Sequence, residues 1–247
     1  MNYLRLGIAC EDRGHHTVAT RLVDAALLDR HAWLDGKLPA HRICHGLAPE
    51  EPWYKYDPAD ANDLRPVVIG DKRIPVHGHI NGERLRHEAG MWRKTLLLFC
   101  HSTPRPDAVL LLRDLDGHAT RREGMEQAAR GFQWPFAIAI AAPQPEVEAW
   151  WVSGFTAETP TEHKTLRALA GELSFDPTTS SHRLTSHPND ASTDAKRVLS
   201  RLCGDDTDRQ DRCLQDRALL RQRGAGNGLC AFLDELDHRI VPTFGQP

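Results

Sequence analysis

The chain has 247 residues, 40% hydrophobic and 26% charged, with a formal net charge of -3. That is enough for one large domain, or for a domain with a smaller extension. No apolar run approaches the roughly 20 residues of a membrane span. The slightly acidic balance excludes a dedicated nucleic-acid packaging protein, because phosphate affinity comes mainly from Lys and Arg. It leaves room for an enzyme that reaches nucleic acid through a local basic patch and a metal.

The N-terminus, Met-Asn-Tyr-Leu-Arg-Leu-Gly-Ile-Ala-Cys, runs straight into a strand pattern. It has neither the long apolar region nor the small-residue cleavage site of a signal peptide, so cytoplasmic residence is expected. The six cysteines are scattered and form no Cys-x-x-Cys pair, so they read as reduced, mostly buried thiols. The Cys203–Cys213 spacing fits no usual zinc pattern.

In chain order, Tyr3 to Ala9 reads as a first strand ending at Cys10-Glu11-Asp12-Arg13-Gly14. Thr17 to Arg30 carries an apolar helical stripe. Together they open a βα unit and set Glu11 at the carboxyl end of a strand. As a lone residue Glu11 reads first as a solvated loop carboxylate. His41 to His45 forms a short second strand. Leu47 to Arg65, rich in Pro, Asp, Tyr and Trp, is an irregular insertion, and a hairpin follows around Gly70-Asp71. His77 and His79 read as surface or turn residues, with no third metal partner nearby.

Gly82 to Cys100 has apolar residues three and four apart, which predicts a helix packed on the sheet. Val109 to Leu112 is an unbroken apolar run, the mark of a strand buried on both faces. Thr120 to Arg130 is a helix with Thr120 as N-cap. Phe136 to Ala142 is the next buried strand, followed by Pro143-Gln144-Pro145 and a helix that opens with Glu146 and Glu148. Trp150 and Trp151 anchor that helix in the core. Beyond Thr156 come a Ser/Thr/His/Pro-rich loop at Pro177 to Asn189, then helical segments at Asp194 to Leu202 and around Arg217 to Arg223. A Gly224–Gly228 cluster follows, with no strand before it, and then a last helix at Leu229 to Ile240. The expected organisation is an α/β core over residues 1–155 with an insertion at about 47–80, and a mainly helical C-terminal extension over 156–247.

The chemistry gathers at strand ends. Asp114 and Asp116 are one residue apart, and Gly117 breaks the strand. In open α/β sheets ligands bind outside the carboxyl ends of strands, and hard oxygen donors there suit Mg²⁺ or Mn²⁺. Asp-x-Asp-Gly is also good turn chemistry, and Glu146 and Glu148 are also what a helix dipole favours in a first turn. With Glu11, however, three strand ends carry acids, and crossover connections bring such tips to one edge.

These residues resemble the TOPRIM domain shared by topoisomerases, primases and OLD-type nucleases: a Glu after the first strand, Asp-x-Asp after a later one, and βα units between them. Pro-Glu-x-Glu-Ala-Trp and a later Asp-Ala-Lys-Arg resemble a bacterial branch of small TOPRIM-like proteins, often paired with an ATPase and associated with defence against phage. The likeness covers roughly Tyr3 to Gly154, with an echo near Lys196, and the Leu47–Arg65 insertion matches nothing in it.

The resemblance implies a TOPRIM-like, mostly parallel sheet flanked by helices, and a Mg²⁺- or Mn²⁺-dependent nuclease that cleaves DNA or RNA. Asp114 and Asp116 would hold Mg²⁺, Glu11 would be a ligand or proton-transfer group, and Glu146 and Glu148 would complete a second metal position. Lys196 would add charge at the transition state, although it also reads as a solvated helix lysine. Arg121 and Arg122 would position backbone phosphates. A partner ATPase would be expected alongside the nucleic acid.

Two alternatives stand beside this one. Leu112-Arg113-Asp114-Leu115-Asp116-Gly117 also resembles the haloacid-dehalogenase nucleophile motif, with Asp114 attacking phosphate. That motif usually opens its domain, however, and Ala142-Pro143 ends the next strand without the hydroxyl the family needs. The other is a TOPRIM-like scaffold that binds a partner without chemistry.

Overall fold

The computed structural model describes residues 3–48, 50–57, 65–186 and 191–244. The fold is α/β, with a parallel sheet, flanking helices and a helical C-terminal stretch. The chain forms two compact units. One comprises Met1–Arg113, His118–Ala141 and Glu235–Pro247; the other comprises Asp114–Gly117 and Ala142–Asp234. The expected division at residue 155 coincides with neither border, because the segment from Glu235 on rejoins the sheet and the Asp114 turn goes with the helices. No helix among the described residues is long and apolar enough to cross a membrane.

In the sheet unit, β1 (Leu4–Cys10) lies between β2 (Arg42–His45) and β8 (Ala108–Leu112), and β9 (Ala137–Ala141) follows β8; every pairing in this sheet is parallel. All five β8 residues are buried, as an apolar run flanked by strands on both sides requires. The insertion contributes β3 (Tyr54–Lys55), which extends the sheet beside Ala9 and Cys10. Its hairpin is β4 (Val67–Ile69) with β5 (Lys72–Ile74), turned at Gly70 with φ +58°. Residues 58–64 of the insertion lie outside the described residues, as do 187–190 of the Ser/Thr/His/Pro-rich loop.

α1 (Arg13–Arg30) starts four residues before the apolar stripe, because Asp12 accepts from the His15 N–H as N-cap. α2 (Leu38–His41) leads into β2. The helix expected over Gly82 to Cys100 is only α3 (Ala89–Cys100). Residues before it form a second hairpin, β6 (His79–Ile80) with β7 (Glu83–Arg84), and Glu88 at φ +65° breaks the helical path. α4 (Thr120–Arg130) has the expected bounds, but Ala119 occupies the cap and no side chain caps it, so Thr120 is the first helical residue.

The second unit is helical: α5 (Glu148–Gly154), α6 (Pro160–Leu173), α7 (Ala195–Cys203), α8 (Thr207–Cys213), α9 (Arg217–Arg223) and α10 (Leu229–Glu235). α6 opens with a full capping box between Thr159 and Glu162. The last expected helix changes to π geometry at Leu236–Ile240, where the chain returns to the sheet unit.

Leu110 is fully buried at the middle of β8. Leu110→Ala leaves a cavity that parallel neighbours on both sides cannot collapse into. It is expected to lower stability by about 2–5 kcal/mol, read as a shift in the urea midpoint at unchanged slope.

Candidate metal centre

The site is built from two loops that run side by side within the second unit. Past β8 and β9 the chain keeps its parallel hydrogen bonding: Leu115 N–H donates to the Pro143 carbonyl and Asp116 N–H to the Pro145 carbonyl, both at 2.9 Å. Asp116 (φ +46°) and Gly117 (φ +78°) then turn the chain sharply; Asp and Gly are the residues that tolerate this left-handed backbone. Asp114 is held in turn by the Val147 N–H, which donates to its Oδ1 at 2.9 Å just ahead of α5.

These constraints bring Asp114, Asp116 and Glu146 together. Each offers one carboxylate oxygen, and the three lie within 4.8 Å of one another. Three carboxylates this close could hold a metal ion, with adjacent oxygens about 3 Å apart once on an octahedral Mg²⁺ with bonds of ~2.1 Å. Two further observations fit a cation. Glu146 Oε1 and Glu148 Oε2 are buried without a hydrogen-bond partner, which is costly for a charged oxygen. The donor set is also purely carboxylate, the hard chemistry that Mg²⁺, Mn²⁺ and Ca²⁺ share.

The cation on the protein side is Lys196, whose Nζ donates to Glu146 Oε2 at 2.8 Å. Burial works against the Lys196 charge. The hydrogen bond to Glu146 and the charges of Glu148, Glu146 and Asp114 outweigh it and hold its pKa above the ordinary lysine value. The neighbouring carboxyls are shifted all the same. Burial raises the Glu146 carboxyl despite Lys196. Glu148, half-buried, is pushed from 4.5 to about 7, chiefly by burial and next by the charge of Glu146.

α5 and α7 carry these groups because their other faces are apolar. Trp150 is fully buried and stacks on Phe232 with centroids 5.4 Å apart, while Ala195, Val198 and Leu199 bury the inner face of α7. Asn227, 1% exposed, ties the frame together. Its carbonyl accepts from Trp150 Nε1 at 2.8 Å and from Gln144 N–H at 3.0 Å. Its amide donates to the Ser153 and Ser181 hydroxyls, each at 2.8 Å. Beside it, Gly228 adopts φ +85°, and a Cβ there would run into the Ala142 carbonyl. The glycine cluster is a packing device for the Pro143–Glu148 loop.

Asp194 is a member of the group that sequence reasoning passed over. It caps α7, accepting from Arg197 N–H at 2.7 Å through Oδ1. Its Oδ2 is buried without a partner, and its charge raises the Glu146 pKa. The Asp-Ala-Lys-Arg run was the available signal.

The remaining expected residues belong to the sheet unit. Glu11 ion-pairs with Arg113 and accepts from Tyr56 Oη at 3.0 Å. Arg113 and Arg121 both face the buried Glu88, at 3.0 and 3.6 Å. Arg122 pairs with Glu126 at 2.9 Å along its own helix. The expected phosphate-positioning arginines therefore already have carboxylate partners. His77 and His79 are exposed. Cys203 and Cys213 are buried free thiols, and neither they nor the two histidines belong to any metal-capable group among the described residues.

Because Glu146 and Glu148 have raised pKa values in the fold, each holds its proton above pH 4.5 more firmly in the folded than in the unfolded chain, Glu148 up to about pH 7. Their contribution is therefore favourable below pH 4.5 and is lost as pH rises through about 7. In chelator, Glu148→Gln is expected to flatten the fall in melting temperature across this window relative to the parent chain; identical pH profiles would contradict the assignment.

No known protein family matches this chain, and neither a curated protein nor a solved structure matches it.

Proposed function

We propose that the protein is a Mg²⁺- or Mn²⁺-dependent nuclease that cleaves phosphodiester bonds in DNA or RNA. The observation that carries this reading is the Asp114–Asp116–Glu146 carboxylate group, with its buried, unpartnered Glu146 oxygen. Glu148 and Lys196 beside it supply a proton acceptor and a cation. Asp114, Asp116 and Glu146 would hold the metal. When bound, it would neutralise charge on the phosphate and make a water more acidic.

The chain's own residues would add to this. Glu148, beside the metal-holding group, would take a proton from the attacking water as general base. Lys196, 56% exposed, offers its ammonium to a phosphate oxygen on the solvent side while its stem stays on α7. Asp114 keeps its orientation through the Val147 N–H, so the donor set is held before substrate arrives. The resemblance to small TOPRIM-like proteins extends the proposal to a cytoplasmic defence effector that works with an ATPase.

The test is cleavage of plasmid, single-stranded DNA and transfer RNA with Mg²⁺ or Mn²⁺, beside Asp114→Asn and Asp116→Asn variants checked for folding. Cutting by the parent chain is expected to require the metal and to fall by about 10²-fold or more in each variant, the scale of losing one transition-state contact. Lys196→Met is expected to slow turnover while metal uptake, read by calorimetry, persists. An aryl phosphate monoester should stay intact. Equal cutting by parent and variants, or no metal uptake by the parent, would overturn the proposal.

A further inference from the structure

At the amino-terminal ends of β1, β8 and β9 the sheet unit has two clefts that the metal chemistry does not use. One, of about 320 Å³, is lined by Phe132, Trp134, Phe136, Ile138, Arg130 and Arg239, among others. The other, of about 540 Å³, includes Arg5, Arg105 and Asp107 in its lining. Phe136 and Ala137 line both, so the two share a wall. Both fall in the size range of small-molecule sites.

The first cleft is an aromatic surface. Phe132 is 61% exposed, which is unusual beside a second large ring. It meets Trp134 edge-on at 5.3 Å, and Trp134 lies nearly parallel to Phe136 at 6.0 Å. The Trp134 indole N–H is committed to the Ala128 carbonyl at 3.2 Å, which fixes the ring. A rigid indole with an exposed phenyl beside it suits a flat π-system.

The second cleft is cationic. Its one lining carboxylate, Asp107, already accepts from the Arg5 backbone N–H at 2.8 Å through Oδ2. Arg105 is exposed, and the Arg5 guanidinium lies 4.7 Å over the Tyr3 ring, which holds it in place without neutralising it. In the aromatic cleft, by contrast, Arg239 and Arg130 face glutamates one turn earlier, at 2.8 and 3.9 Å. The charge available to an anion is therefore on the Arg5–Arg105 side, next to the rings.

We propose that these joined clefts bind an unpaired nucleotide, with its base on Trp134 and Phe132 and its phosphate on Arg5 and Arg105. Stacking on aromatic faces with arginine at the backbone is the chemistry of single-strand recognition. A paired base keeps its faces inside the duplex and cannot enter. The assignment stands on the sheet unit alone and does not require the nuclease reading.

The test is fluorescence anisotropy in chelator, so that nothing is cut, with labelled oligo-dT and oligo-rU, a duplex of matched length, and AMP and UMP as competitors. Single strands are expected to bind in preference to the duplex. Phe132→Ala and Arg105→Ala, both at exposed positions, should each weaken binding by about tenfold, and Arg105→Ala should also reduce the salt dependence. Competition by AMP or UMP at concentrations comparable to the oligomer would identify a mononucleotide site, and its absence a strand site; either supports the proposal. Every arm is run in chelator and reads a cleft of the sheet unit, so failure here is separable from failure of the nuclease reading. Equal binding of duplex, binding indifferent to both substitutions, or no binding by any nucleotide would overturn it. Self-association lost in Phe132→Ala, with no nucleotide bound, would assign the surface to a protein partner instead.

Discussion

Carboxylates withdrawn from water beside the Lys196 ammonium group set the terms for the second unit. Asp114, Glu146 and Asp194 are each buried, and Glu148 is half-buried beside them. Like charges at this spacing oppose folding unless a cation or a proton intervenes. Lys196 answers Glu146 directly and Glu148 at a distance, and the remainder appears as raised carboxyl pKa values. An arrangement so costly persists only where the surrounding frame is over-determined. Trp150 on Phe232, the Asn227 hydrogen bonds and the close approach of Gly228 to Ala142 supply that frame.

The sheet unit handles buried charge in the opposite way. Arg113 is 5% exposed and Glu88 1%, and they meet each other, with Glu11, Tyr56 and Arg121 adding further contacts. Each positive group there has a carboxylate in reach, so the cluster can be satisfied without a ligand. In the second unit Glu146, Glu148 and Asp194 each keep a buried carboxylate oxygen without a hydrogen-bond partner.

The central strands were legible because their residues admit one reading. Val109 to Leu112 and the run to Ala142 are apolar without interruption, and only a strand covered on both faces uses such a run. The Gly70-Asp71 hairpin was legible through its turn. The segment before α3 was not, because Leu85 and Ala89 match a helical spacing that Gly82 at φ +84° and Glu88 at φ +65° prevent. Asp114, Asp116, Glu146 and Glu148 stood out at strand ends, but their convergence depends on hydrogen bonds between two loops. Asp194 escaped notice because an N-cap role explains it locally. Asn227 escaped because its partners Ser153 and Ser181 are distant in sequence. Arg121 shows the converse: its positive charge is visible in sequence, but the buried Glu88 that faces it is not; Arg122, by contrast, has its partner Glu126 one helical turn on, where the sequence shows it.

The choice of lysine at position 196 follows from the same balance. An arginine would fork two hydrogen bonds onto Glu146 and be held there, because its planar group is matched to a carboxylate. A lysine is a point charge on a flexible stem, and this one keeps more than half its side chain in solvent, 56% by exposed area. It can turn from Glu146 Oε2 toward a phosphate oxygen without leaving water, so the move costs little desolvation. On the nuclease reading, one residue then serves two states: counter-ion to the buried acids before substrate binds, and contact to the phosphate after. The Asp194 cap sets the start of α7, and so the point from which that stem swings.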